Sequence, residues 1–362
     1  MHTVVARAPG KVVVAGEFAV LEAGHRAVVT AVRRHVTVLL RPAAQRTIHL
    51  AGQVAVWRPQ GAGVRIAGEG TALRLIESAL SAALGTALAE GQHPEAFALE
   101  VRSGLFARGR RKLGLGSSAA TIVAVVAALL HAVRGTSPSH SEVFRIAAAA
   151  HHAVQGGGSG VDVAAATHGG WILYRGFGTA WLEDQLARGR SPADVAALAW
   201  PQHEVTELSA PPMPLRVGWT GESASTQQRL AELRGYRTRN PGAYRIFLRE
   251  SEIAVDALKC ALQAGDAARF AAALRLGRAV LDRLSTRLGF PTETTSLRAL
   301  ADAAVLLGGA GKPCGAGGGD CGIAVVPAER WPALQDMWAA AGVEPLDLLA
   351  NAGGVETRVV KI

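Results

Sequence analysis

The sequence is poor in cysteine, aromatic residues and lysine, and the first two shortages each argue against a class of protein. The three cysteines, Cys260, Cys314 and Cys321, lack a paired CxxC pattern, so neither a disulfide framework nor a zinc site is predicted. Aromatic residues make up 5% of the chain and do not alternate with basic residues along any stripe. Together with the lack of a basic tail, this disfavours a nucleic-acid-binding surface.

Long apolar runs are also missing. The most apolar segment, 119–133, is shorter than the roughly 20 residues that a membrane-spanning helix needs, so we interpret it as a buried helix. The first residues show no charged region followed by an uninterrupted apolar stretch and a small-residue cleavage site. No signal peptide is predicted, and a cytoplasmic location is expected.

The composition suits a globular protein of two domains. Its 362 residues exceed what one typical hydrophobic core accommodates, and the apolar 49% consists mainly of Ala, Val and Leu, as in helices packed on sheets. The formal net charge is +9, and the basic residues are scattered except for one cluster at 108–112. Because this cluster runs directly into a glycine loop, we favour a ligand with several phosphates over nucleic acid or a membrane.

Lysine is the most informative of the rare residues. Only five of the 38 basic residues are lysines, and three of the five open glycine-rich segments, at 11–17, 112–120 and 312–324. Glycine lets the backbone approach an anion closely, and an ammonium group adds a mobile point charge. This distribution indicates phosphate chemistry.

The hydrophobic pattern predicts strands and helices along the whole chain. β-branched runs predict strands at 4–14 and 27–40, with the first broken at Pro9-Gly10. The glycine loop 114–118 is predicted to open a helix whose first N–H groups are unpaired, which favours an anion there. Further helices are predicted at 72–88, 144–154, 225–233, 244–264, 266–284 and 296–307, and further strands at 96–101, 171–174, 215–219 and 322–326.

Polar residues beside the glycine loops are candidate site residues, each with a plainer alternative. The order GLGSSAA excludes a Walker-type P-loop, yet Ser117 and Ser118 either bind phosphate or Mg²⁺ or simply cap the helix. Asp162 is a general base, an orienting partner for a lysine, or a helix cap. Lys11 either contacts phosphate or is a solvated lysine at a strand end.

Two further features have the same ambiguity. Glu17 stands in an apolar stretch, and it is either a ligand-site carboxylate or the partner of a buried arginine. The segment GAGGGDCG at 315–322 is either a plain turn or a place where a ligand approaches the backbone. His151 and His152 lack the spacing of metal ligands and are interpreted as structural.

The order of these motifs resembles that of the GHMP kinase superfamily. The matching segments are APGKVVVAGEFAVLEAG, KLGLGSSAAT, GSGVDVAAATHGGW and KPCGAGGGDCGIAV, and they span nearly the whole chain. The basic GRRK before GLGSS, and Asp320-Cys321 in the last motif, are similar to the phosphomevalonate kinase branch. The chain departs from that branch with Phe18 for a tyrosine, Cys314 for a serine and GLGSSAA for GLGSSGA.

The resemblance implies an α+β GHMP kinase fold of two domains with the active site in the cleft between them. Residues 1–205 would form an ATP-binding domain like the second domain of ribosomal protein S5, and 206–362 a ferredoxin-like C-terminal domain. ATP and Mg²⁺ are the implied cofactors. The residues implied to bind ATP are Lys112, Gly114, Leu115, Gly116, Ser117, Ser118 and Ala119, with Ser118 as the metal ligand. His151 stands where mevalonate kinases have a Mg²⁺-binding glutamate.

The implied reaction is phosphoryl transfer from ATP to (R)-5-phosphomevalonate, giving 5-diphosphomevalonate and ADP in isoprenoid biosynthesis. Lys11 and Asp162 would be the catalytic pair, in contact with each other, and Asp162 would orient Lys11 because a dianionic phosphate acceptor needs no base. Extra positive charge would come from Arg110, Arg111, Lys112 and Lys312. The implied substrate-binding residues are Lys11, Glu17, Ser159, Gly160, Asp162, Ser225, Lys312, Gly315, Ala316, Gly317, Gly318 and Asp320, with Ser223 and Thr226 beside Ser225.

Other functions remain open from the sequence. Mevalonate kinase or another small-molecule kinase of the superfamily would use Asp162 as a base, and diphosphomevalonate decarboxylase is disfavoured by the GAGGGD motif. A ligand sensor and a nucleic-acid-binding module on the same fold are the non-enzyme alternatives. The partner expected is a small phosphorylated substrate, without nucleic acid or membrane, for a monomer or homodimer.

Overall fold

The computed structural model describes residues 1–106, 112–222, 226–289 and 291–361, and for residues 226 and 227 only the backbone. Within these ranges the chain forms two β-sheets with helices packed against them. The first sheet is curled and has nine strands, and the second has four. The structure is therefore of the α+β class that the motifs predict.

The first sheet contains the N-terminal half of the chain and its last strand. Its order is β13-β1-β2-β6-β3-β4-β5, with β7 paired to β2 and β8 paired to β7. Among the described strands, β3 and β6 are the only pair that runs in parallel. The strands are β1 Val4–Ala15, β2 Arg26–Pro42, β3 Thr47–Leu50, β4 Gln53–Gln60, β5 Gly63–Ile66, β6 Phe97–Ser103, β7 Trp171–Arg175, β8 Glu204–Leu208 and β13 Glu356–Val359.

The second sheet has the antiparallel order β10-β11-β9-β12. Its strands are β9 Arg216–Trp219, β10 Ala310–Pro313, β11 Cys321–Val325 and β12 Glu344–Leu346. Helices lie between β9 and β10 and between β11 and β12, which makes the βαββαβ arrangement of a ferredoxin-like sheet. The predicted ferredoxin-like C-terminal part is confirmed.

Eleven helices are found in the described ranges. They are α1 Thr71–Ala89, α2 Ser117–Arg134, α3 His140–Gln155, α4 Val161–His168, α5 Thr179–Ala187, α6 Pro192–Ala196, α7 Thr226–Arg239, α8 Pro241–Ala264, α9 Ala267–Leu288, α10 Thr295–Leu306 and α11 Trp331–Ala340. Gly116 precedes α2 and Gly135 follows it, both in left-handed conformation, because a helix end needs a turn that glycine adopts without strain.

Helix α2 is the central element of the main core. It packs against α1, α3, β1 and β2, and residues 119–130 other than Thr121 are buried apolar side chains. By length and composition both α1 and α2 would pass as membrane spans, but 72% of the α2 window and 44% of the α1 window are buried in this structure. The prediction of a buried helix at 119–133 is confirmed.

Two sequence-based boundaries differ from the structure. Strand β1 continues through Pro9-Gly10 instead of breaking there, because a register shift against β2 absorbs the proline and the glycine. The boundary expected between residues 205 and 206 falls inside β8, which pairs with β7. Strand β13 also pairs with β1, so the expected C-terminal domain, 206–362, contributes this strand to the first sheet.

Candidate active site

A cavity of about 640 Å³ lies where the three glycine-rich segments approach one another. Its walls come from β1, from the starts of α2 and α4, from the end of α3, from α7, and from the loop between β10 and β11. Lys11, Glu17, Ser118 and Asp162 all line it. Residues that the sequence spreads over more than 150 positions therefore share one pocket.

The loop 114–118 is attached to β1 beside Lys11. The backbone N–H of Lys11 donates to the carbonyl of Leu115 at 2.9 Å. Gly116 has φ of 78°, and a Cβ there would lie 3.1 Å from both Cγ and Cε of Lys11. The lysine side chain thus lies across the start of α2, where no acidic residue occupies the first turn. Unpaired N–H groups, the helix dipole and an ammonium group together form an anion-binding corner.

Ser118 is hydrogen-bonded to His151, whose Nε2 lies 3.1 Å from the serine Oγ. His151 is on α3 and lines the cavity, a position that its spacing in the sequence did not indicate. Burial lowers the pKa of this imidazole, although the nearby Asp162 carboxylate acts in the opposite direction. A neutral ring then fixes the orientation of the Ser118 hydroxyl.

Asp162 lies in the first turn of α4, after a loop that aromatic side chains hold in place. Tyr174 donates its hydroxyl to the carbonyl of Ser159 at 2.6 Å, and burial raises the pKa of Tyr174, which keeps it a donor. A Cβ on Gly160 would lie 2.9 Å from Phe177, so only glycine fits there. The described ion pairs do not include the expected contact between Lys11 and Asp162, which line the same cavity separately.

The third glycine segment forms a tight loop between β10 and β11. The N–H of Gly318 donates to the carbonyl of Thr292 at 2.7 Å, and Gly317 packs against the same residue. Gly315 and Ala316 line the cavity, whereas Gly317 and Gly318 lie behind them. The loop thus presents its first residues to the pocket.

Asp320 connects the third glycine-rich segment to the second, the loop 114–118. A Cβ on Gly114 would lie 2.6 Å from the Cβ of Asp320, so the two loops are in direct contact. The carbonyl of Asp320 accepts from the N–H and the hydroxyl of Thr220, and its N–H donates to the carbonyl of Glu222. Asp320 is not among the residues that line the cavity.

Glu17 and Lys312 form an ion pair in the interior. The ammonium of Lys312 donates to Oε1 of Glu17 and to the carbonyl of Pro313 at 2.8 Å, and the lysine is fully buried. Glu17 is thus the partner of a buried cation, a lysine instead of the arginine considered from the sequence. Lys312 does not face the cavity, so the structure does not present it as extra positive charge for two anions.

Several predicted residues are not brought to the pocket or are not described. Lys112 is exposed and lies outside the cavity. Outside it are also Gly114 and Leu115, which belong to the loop, and Ser117 and Ala119, which belong to the first turn of α2. Arg110, Arg111, Ser223 and Ser225 lie outside the described residues, and so does the side chain of Thr226.

Sequence analysis did not identify the cavity wall that helix α7 forms. Helix α7 contributes Leu230, Ala231 and Arg234, whereas substrate contacts were expected from the sequence only around the start of this helix, at 223–226. Arginines are common throughout this chain, so no local signal distinguishes Arg234. The spacing of 230, 231 and 234 on one helical face was the available clue.

Comparisons with known proteins identify a matching family, a similar sequence and similar structures. The family model of the GHMP kinases N terminal domain matches residues 74–170. A phosphomevalonate kinase of Streptomyces sp. (strain CL190) is 39% identical over 373 aligned residues, which cover 98% of this chain and 99% of the relative. Among solved structures, a Lin0012 protein from Listeria innocua has a TM-score of 0.92 at 31% identity, covering 98% of this chain and 99% of that one.

A third comparison is with an enzyme that was solved with ligands. The Streptococcus pneumoniae phosphomevalonate kinase in complex with phosphomevalonate and AMPPNP has a TM-score of 0.81 at 26% identity. The match covers 96% of this chain and 99% of that one.

Proposed function

The chain belongs to the GHMP kinases, and we propose that it transfers the γ-phosphoryl group of ATP to the phosphate of (R)-5-phosphomevalonate. The products are 5-diphosphomevalonate and ADP, in the mevalonate route of isoprenoid biosynthesis, and the expected location is the cytoplasm. One observation carries the proposal: Lys11, the free start of α2 and Asp162 meet in one cavity. That arrangement supplies an anion-binding helix end, a cation and a carboxylate, which phosphoryl transfer requires.

The nucleotide phosphates are assigned to the loop 114–118 and the first turn of α2. Glycine at 114 and 116 supplies the left-handed backbone turns of the loop, with φ of 72° and 78°, and the N–H groups of Ser117, Ser118 and Ala119 point out of the helix start. Lys112, exposed at the entrance of the loop, adds a cation for the outer phosphates. ATP is the donor in this proposal because the Streptococcus pneumoniae relative was solved with AMPPNP.

Mg²⁺ fits the residues at this corner. No group of three or more His, Cys, Asp or Glu able to hold a metal is found in the described part of the chain. Mg²⁺ does not require one, because it keeps several waters and takes one or two protein oxygens together with phosphate oxygens. The Ser118 hydroxyl and the Asp162 carboxylate supply such oxygens, and His151 orients Ser118 instead of binding the metal. When bound, Mg²⁺ neutralises charge on the phosphates.

Lys11 and Asp162 have different tasks in this reaction. The second pKa of a phosphomonoester is about 6, so the acceptor is largely dianionic at pH 7 and needs no base to remove a proton. Lys11, which has no direct ion pair with Asp162 in the described structure, is available to the transferring phosphoryl group. Asp162 then positions the ammonium of Lys11 through its charge.

A coupled assay of ADP release tests the proposal. Mg-ATP is offered with mevalonate, 5-phosphomevalonate, 5-diphosphomevalonate or homoserine, and turnover is expected with 5-phosphomevalonate alone. The Asp162→Asn variant should retain measurable activity, lower by about 10²- to 10³-fold, because it loses charge but not a required base. Turnover with mevalonate alone would overturn the choice of acceptor, and an inactive Asp162→Asn would indicate a general base.

A further inference from the structure

Arg234 on α7 lines the same cavity as Lys11 and Ser118. Its guanidinium is close to the loop after α3, because a Cβ on Gly157 would lie 3.4 Å from Nη2 of Arg234. In the described cavity wall, Lys11 and Arg234 are the only lysine and arginine. Glu17 is already neutralised by Lys312. The pocket therefore has a second cation that the phosphoryl-transfer site does not use.

The present partner of Arg234 is held weakly enough to be exchanged. Arg234 donates from Nη2 to Oε1 of Glu183 at 3.1 Å, and the side chains are 60% and 44% exposed. Exposed ion pairs of this kind contribute about 0 to 1 kcal/mol. Glu183 does not line the cavity, so the guanidinium can give up this contact and turn to a ligand without leaving its place on α7.

The lining of the cavity that Lys11 and Arg234 share is mainly apolar. Val13 and Val20 come from the first motif, and Leu230 and Ala231 come from the same face of α7 as Arg234. A ligand that fills this pocket would carry a negative group at each end and an apolar middle. The acceptor of the proposed reaction has this pattern, with a phosphate at one end, a carboxylate at the other, and methylene and methyl groups between them.

We propose that Arg234 binds the carboxylate of the acceptor and makes the enzyme specific for acceptors that carry one. This inference rests on the proposed function. A guanidinium offers two parallel N–H donors that match a carboxylate, which a lysine ammonium does not. Binding exchanges the exposed contact with Glu183 for a charge-assisted contact inside the cavity.

The test compares two arginines of the same helix. Arg237 also pairs with a glutamate, donating to Glu22 at 2.8 Å, and it is 58% exposed but does not line the cavity. Arg234→Gln should raise the KM for 5-phosphomevalonate about ten- to hundredfold and leave the KM for ATP unchanged, because one charge-assisted contact is lost. Arg237→Gln should leave both constants unchanged, and Arg234→Lys should restore part of the loss.

An acceptor analogue in which the carboxylate is a carboxamide distinguishes the proposed contact from a general effect on α7. For the native enzyme, replacing 5-phosphomevalonate by the analogue should lower kcat/KM about as much as Arg234→Gln lowers it for 5-phosphomevalonate. For the Arg234→Gln variant, the analogue and 5-phosphomevalonate should give the same kcat/KM. Additive losses, or equal effects of Arg234→Gln and Arg237→Gln, would overturn the inference. Failure of the native enzyme to use 5-phosphomevalonate would instead overturn the proposed function.

Discussion

Lys312 shows how a residue of a glycine-rich motif can serve the fold instead of the ligand. It is fully buried against Glu17, and this pair joins the first motif to β10 of the second sheet. Lys312→Met should lower the free energy of unfolding by about 3–5 kcal/mol, because it leaves the Glu17 carboxylate buried without a partner. Urea denaturation measured by circular dichroism gives this value directly.

The control for Lys312→Met is an ion pair on the surface. Arg188 and Asp184 are 63% and 48% exposed, and Arg188→Ala should change stability by less than about 1 kcal/mol. Adding Glu17→Gln to Lys312→Met should recover part of the loss, since the unpaired charge is then removed. If Lys312→Met left stability intact and only raised the KM for the acceptor, Lys312 would bind substrate after all.

At the level of elements, the two ends of α2 give a matched pair of glycines. Gly116 and Gly135 have φ of 78° and 76°, so alanine is strained at both, by about 1–2 kcal/mol. Only at Gly116 would the new Cβ press on the Lys11 side chain, at 3.1 Å, whereas at Gly135 the nearest atom is Nε2 of His2 at 3.4 Å.

Gly116→Ala should therefore lower kcat/KM for ATP about ten- to hundredfold, because a misplaced lysine loses its position at the phosphates. Gly135→Ala should lower thermal stability to a similar degree and leave kcat/KM unchanged. Steady-state kinetics and thermal unfolding of both variants separate the two effects. Equal kinetic losses in both would mean that the start of α2 has no special role.

The elements around this helix were predictable to different degrees. α1, α2 and α8 follow from apolar periodicity and flanking glycines, and their predicted bounds differ from the structure by a few residues. β13 was missed because four residues near the chain end show no pattern of their own, and pairing with β1 defines them. The continuous β1 was missed because a register shift tolerates a proline that local rules treat as a break.

Among the candidate site residues, the order of the motifs identified most residues of the phosphate-binding corner. It did not predict which side chains contact each other. Lys11, Ser118 and Asp162 stand in motifs and do line one cavity. The pairing of Glu17 with Lys312 spans 295 positions, and no local pattern reports it. Arg234 reaches the cavity because α7 packs against α8 and α9. This packing is a tertiary contact that no local sequence pattern reports.

For the molecule as a whole, a cluster of half-buried histidines should make stability depend on pH. His203 stacks on Phe144 with ring centroids 4.2 Å apart, and His168 lies beside His140 at 5.6 Å. Burial lowers the pKa of both His168 and His203 to about 4. Neighbouring histidines act in the same direction on His168, whereas a backbone hydrogen bond with Arg175 partly opposes the shift of His203. The cluster involves α3, α4 and the segment before β8, so protonating it weakens contacts across the first half of the chain.

The direction of this pH dependence follows from where the folded and the unfolded protein take up protons. The unfolded chain takes up protons on these rings near pH 6.5, but the folded protein does so only near pH 4. Stability is therefore complete above pH 6.5 and falls as the pH drops from about 6.5 to 4. We expect a loss of roughly 1–2 kcal/mol per ring at pH 5, since both rings keep some contact with water.

Urea denaturation at pH 7.5 and pH 5 should show this loss of stability, and His203→Gln should reduce the difference between the two pH values. His93→Gln, at an exposed histidine, should leave it unchanged, and a pH dependence that survives His203→Gln in full would assign the loss to other groups.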